Sequence, residues 1–160
     1  MLLRSGTAAG LLAGVALNRV ATAIHAVSVV RNPVARFSVS ELAARVVNRA
    51  GVRADRAALR AQLSIDQRQL GRGYGHATTE GQTAIARAAE SGLVLDATYT
   101  AKAFARVLEM ARNARRSPGE RPLCIVYWHT LSAVPLAPLL EHAPAWEELS
   151  RDLQRLFRTP

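Results

Sequence analysis

The sequence is sparing with several residues, and each shortage excludes something. It has one cysteine, Cys124, so no internal disulfide can form. A lone cysteine suits a reducing compartment, and a cytoplasmic location is the expectation. In the apolar run LCIVYWH this cysteine reads as a buried, inert core residue. There is also a single lysine, Lys102, among 21 basic residues, so the net charge of +9 is carried almost wholly by arginine. The arginines are spread among alanines, as in RVVNRAGVRADRAALRAQL, and aromatic residues make up only 5% of the chain. With no basic tail and no aromatics between the charges, nucleic acid is not expected as a partner despite the charge. No apolar run reaches the about 18–20 residues of a membrane-spanning helix, so no membrane partner is expected either. The four histidines (His25, His76, His129 and His142) are scattered, and no CxxC or HExxH occurs, so no metal site is expected. The Gly-x-Ser-x-Gly elbow of serine hydrolases is missing too.

What is present is enough apolar material for one packed core, 49% of 160 residues. Gly6–Leu17 reads as a buried helix after a small-residue turn. Ile24–Val30 is a short β-branched run stopped by Asn32-Pro33, which predicts a strand. A helix is expected from Ser38 or Ser40 to Ala50, with Leu42, Val46 and Val47 on one face. Asp55–Leu63 predicts a weaker helix or a turn, and the alternation in QLSIDQRQL a strand or extended loop. The glycine cluster GRGYGHATTEG (Gly71–Gly81) must be a loop, after which Thr78 or Thr79 caps a helix that ends at Ser91-Gly92. Leu93–Tyr99 and Leu123–Thr130 predict strands, the second covered on both faces. Between them TAKAFARVLEMARNARR is a helix with Phe104, Val107, Leu108 and Ala111 as its stripe. PAWEELSRDLQRLF predicts an amphipathic helix behind a proline. Alternating strands and helices imply an α/β layer with a parallel sheet, over residues 1–142, and a helical tail over 143–160.

Three stretches can carry chemistry. SGTAAGL offers glycines that admit close approach and a helix start where an anion is favoured; a plain small-residue helix start explains it equally. LVLDATYTAKA delivers Tyr99 and Thr100 at a strand's carboxyl end, where α/β sheets bind ligands; capping or core packing is the competing explanation. IVYWHTLS ends a strand on His129 and Thr130, with His129 either a general base or a packed histidine.

Taken in order, GTAAGL, AVSVVR, GRGYGHATTEG, LVLDATYTAKA and IVYWHT resemble the C-terminal half of the D-cysteine desulfhydrase and aminocyclopropane-carboxylate deaminase family. These are pyridoxal-phosphate enzymes of the tryptophan-synthase-β-like fold (fold type II). The resemblance spans nearly all of residues 3–140. It implies a partial parallel-sheet cofactor domain with pyridoxal 5'-phosphate as cofactor. Ser5, Gly6, Thr7 and Ala8 would hold its phosphate, Thr100 would face its pyridine nitrogen, and Thr130 would lie near its ring. Tyr99 would be the catalytic residue beside a small amino-acid substrate, with Tyr74 near the mouth of the site. The family forms its Schiff base through a lysine in its other half, a position that Lys102 does not match.

The resemblance therefore implies a fragment, inactive alone, of a lyase or deaminase that forms a homodimer at full length. A neutral threonine after the tyrosine, where the deaminases place glutamate, favours β-elimination from D-cysteine to pyruvate, ammonia and sulfide. The alternatives are a non-catalytic remnant or binding module, and an aminocyclopropane-carboxylate deaminase. The opening MLLRSGTAAGLLAGVALNRVATA also has the outline of a secretory leader. In the family's helix–turn–strand order, however, Ala21–Ala23 falls in a turn, which favours the phosphate-loop reading.

Overall fold

The computed structural model describes residues 6–115, 123–130, 138, 141 and 143–156. Helix α1 (Gly6–Leu17) leads to strand β1 (Ile24–Val27), then α2 (Ala35–Arg49), α3 (Arg56–Gln62) and β2 (Leu63–Asp66). Helices α4 (Thr79–Ala89) and α5 (Thr100–Arg115) follow, and a 3-10 turn (Trp146–Glu148) precedes α6 (Arg151–Leu156). β1 and β2 pair in parallel from Ile24 opposite Leu63 to Val27 opposite Asp66. Parallel strands cannot be joined by a tight turn, and here α2 and α3 make the crossover. The architecture is α/β, a two-stranded parallel sheet among helices.

Small side chains let the first half pack closely. Ala9, Leu12 and Ala13 of α1 join Val39, Ala43, Ala44 and Val47 of α2, with Leu59 and Leu63, in one buried cluster. Ile24, Ala26 and Ile65 bring the sheet against it. Ser40 is buried in the same face, its hydroxyl donating to the Phe37 carbonyl at 3.0 Å. A second, smaller cluster joins α4 and α5 through Ala88, Leu95 and Ala101, with Phe104 and Tyr127 packed on it.

Two caps follow the sequence closely. Asp55 accepts from the amides of Ala57 and Ala58 to start α3, and Thr78 accepts from Gly81 to start α4. Helix α2 instead begins three residues before Ser38, because Asn32 turns the chain earlier: its side chain accepts from the Val34 amide at 3.1 Å. Of the face expected for α2, only Val47 is buried, while Leu42 and Val46 are exposed.

Neither later strand forms. Leu93–Asp96 is irregular and Ala97–Tyr99 is a turn, because the Asp96 carboxylate accepts from the Thr98 and Tyr99 amides and curls the chain into α5. Residues 123–130 are extended but pair with no strand among the described residues. Only Ile125 and Tyr127 turn inward, while Val126 is 78% exposed and Cys124 lies on the surface, so this cysteine is not a core residue. The expected tail helix is split, since Leu149 is extended between the 3-10 turn and α6. Among the described residues no helix is long and apolar enough to cross a membrane.

Candidate functional site

The carboxyl ends of the strands face the N-terminal half of α5. Asp66, the last residue of β2, accepts from Arg106 Nε of α5 at 2.5 Å. One turn earlier on α5, Lys102 Nζ donates to the carbonyls of Leu70 and Gly73 at 3.1 and 3.0 Å. Tyr99 and Thr100 lie earlier still, at the start of α5. There the Tyr99 ring meets the Tyr74 ring of the glycine loop edge-on, with centroids 5.8 Å apart.

Electrostatics explains why buried charges are stable here. Burial alone would raise the Asp66 pKa. The Arg68 backbone N–H and the Arg106 guanidinium outweigh it, and the carboxyl is held below its usual range. Arg106 also reaches Glu109 at 3.1 Å, and Glu109 reaches Arg68 at 3.4 Å. Lys102 is fully buried, and desolvation lowers its pKa. Tyr127 donates to the Thr100 carbonyl at 3.1 Å; burial first, and then the Asp96 charge, push its pKa up to about 12.

The glycine loop is shaped by its neighbours. Gly71 and Gly73 have φ of +57° and +110°, which side-chain-bearing residues rarely adopt. A Cβ on Gly71 would also sit 2.6 Å from Thr78 Cγ2, the same threonine that caps α4. By contrast, among the described residues a Cβ on Gly6 or Gly10 would meet nothing within 4 Å.

The sequence-predicted residues are only partly brought together. Ser5 lies outside the described residues. Gly6 and Thr7 are exposed at the start of α1, and Ala8 packs against the first core. Tyr99 meets Tyr74, the Thr100 carbonyl accepts from Tyr127 of the second core, and Thr130 is exposed. His129 is exposed, with its Nε2 3.0 Å from the Val94 carbonyl.

Thr100 does not fit the ring of pyridoxal phosphate. Its side chain is tied into the α5 cap: the hydroxyl donates to Asp96 Oδ2 at 2.6 Å and accepts from the Asp96 amide at 2.7 Å. A pyridine nitrogen, which accepts, would find the one hydroxyl hydrogen already committed, and the residue is only 4% exposed. Sequence reasoning missed Asp66, Asp96 and Arg106. Their signals were the spacing of Asp96 four residues before Thr100 and the row Lys102, Arg106, Glu109 on one face of α5. The larger surface cleft, about 390 Å³, lies elsewhere, between the ends of α1 and α2 and helix α3, and none of the predicted residues lines it.

This chain matches no protein-family model and no curated protein.

Proposed function

We propose that the chain is the cofactor-domain portion of a pyridoxal-phosphate-dependent lyase of the D-cysteine desulfhydrase type, and that by itself it performs no chemistry. The position of Tyr99 supports this reading. Its ring lies against Tyr74 of the glycine-rich loop that follows β2, and the loops that follow parallel strands are where α/β proteins hold their ligands. Tyr99 is the group beside the substrate, a small amino acid with a leaving group on its β-carbon. Gly6, Thr7 and Ala8 offer the phosphate end. Thr100 is a helix cap in this arrangement, and no step is assigned to it.

A second reading, a non-catalytic module of the same fold, is favoured by Thr100 and Lys102, whose polar atoms are both bonded inside the protein. One assay separates the two. The purified chain is given pyridoxal phosphate with D-cysteine or with aminocyclopropane carboxylate, and the 2-oxo acid released is measured, pyruvate from the first and 2-oxobutanoate from the second. No release above the protein-free control is expected. Adding a lysine-bearing N-terminal half of a family enzyme restores release from D-cysteine under the first reading, and Tyr99→Phe then lowers it about 100-fold. No restoration would leave the second reading. Equal release from both substrates would remove the D-cysteine assignment.

A further inference from the structure

Lys102 is an unusual core residue. It is the only lysine in the chain and is fully buried, and its bonds go to two carbonyls rather than to a carboxylate. A position that only had to fill space would be better served by Leu or Met, which carry no desolvation cost. Both carbonyls belong to one tight stretch of chain. Leu70 N donates to Gln67 O and Gly73 N donates to Leu70 O, each at 3.0 Å. The next residue is Tyr74, whose ring meets Tyr99 at 63°. Tyr99 in turn enters the helix that carries Lys102. The contacts close a circuit: amine to loop carbonyls, loop to Tyr74, Tyr74 to Tyr99, and Tyr99 back to α5.

We propose that Lys102 is a positioning residue whose amine fixes the Gly71–Gly75 loop, so that Tyr74 holds the Tyr99 ring in place at the start of α5. The neutral amine keeps two N–H donors, so both bonds persist whichever protonation state burial favours. Placing Tyr99 beside a substrate rests on the function proposed above; the placement of its ring by Lys102 does not.

The test reads the tyrosine pair directly, in the full chain without cofactor. The chain has three tyrosines, so their ring signals in a carbon–proton NMR spectrum are few. Tyr74→Leu identifies the shift that the edge-on contact imposes on Tyr99. In Lys102→Met the Tyr99 signals are expected to move to their positions in Tyr74→Leu. Amide exchange in the Gly71–Gly75 loop should rise at least about tenfold, with α1 and α2 unchanged. A folded Lys102→Met with wild-type Tyr99 signals and wild-type loop exchange overturns the proposal. So does a Tyr74→Leu variant that leaves Tyr99 unmoved. Gly73→Ala keeps the lysine and strains only the backbone that aims one carbonyl, because nothing lies within 4 Å of the added Cβ. If Lys102→Met does not fold, Gly73→Ala decides: displaced Tyr99 signals support the proposal and unmoved ones overturn it. Neither readout involves turnover, so a failed pyruvate assay and a failed positioning role are told apart.

Discussion

Asp66 ends β2 with its carboxylate inside the protein, opposite a guanidinium that is itself buried. Its folded pKa lies below the unfolded value, which is about 3.9. The pair therefore contributes stability above about pH 4, and that contribution is lost as pH falls through the lower folded value. Asp66→Asn should cost about 3 kcal/mol in urea unfolding at pH 7, since it leaves Arg106 with Glu109 alone. The gap between variant and wild type should narrow below pH 4. A loss under about 1 kcal/mol at pH 7 would mean that the pair behaves like a surface bridge. The same residue shows what composition hides: the alternation in QLSIDQRQL marks a strand or extended loop, but nothing in it shows that Arg106 is brought to this Asp.

Asp96 acts on a whole element. Its carboxylate accepts from the amides of Thr98, Tyr99 and Thr100, and its carbonyl accepts from Ala101, so the first turn of α5 is held from one side chain and one peptide. Asp96→Ala should cost about 1–2 kcal/mol and lower the melting temperature, with Thr100→Val costing less. A melting temperature unchanged by Asp96→Ala would reduce the network to decoration. Elements of this kind were legible where a cap or an alternation marked them, as at Asp55, Thr78 and Leu63–Asp66. They were illegible where letters alone decided. LVLDATY and LCIVYWHT have the composition of strands, but nothing in a run of apolar residues says whether a ladder partner exists. Helix α5 shows the same limit: Phe104, Val107, Leu108 and Ala111 are half-buried, while Ala101, Lys102, Ala105 and Arg106 are the buried residues. Apolar periodicity cannot find a face whose charges are neutralised by distant carbonyls and a distant carboxylate. The pairing of Tyr74 with Tyr99 was hidden for the same reason, although both residues were picked out singly.

At the scale of the molecule, two cores share one sheet. The first packs α1, α2 and α3 on the strands, and the second joins α4 to α5; α5 reaches back to the sheet through Arg106 and Asp66. The α/β class follows from the order of elements, whereas the glycine loop and the α5 start take their form from contacts between segments far apart in the chain. The burial of Lys102 has a consequence for handling the protein. Its folded surface presents no lysine side chain to any acylating reagent. A succinimidyl ester is expected to leave Lys102 unmodified in native buffer and to modify it fully in urea, read by mass spectrometry of the peptide that contains it. The fraction acylated over time then becomes a clock with a single hand, reporting how often the second core opens. Acylation in native buffer as fast as in urea would show that this core is open most of the time.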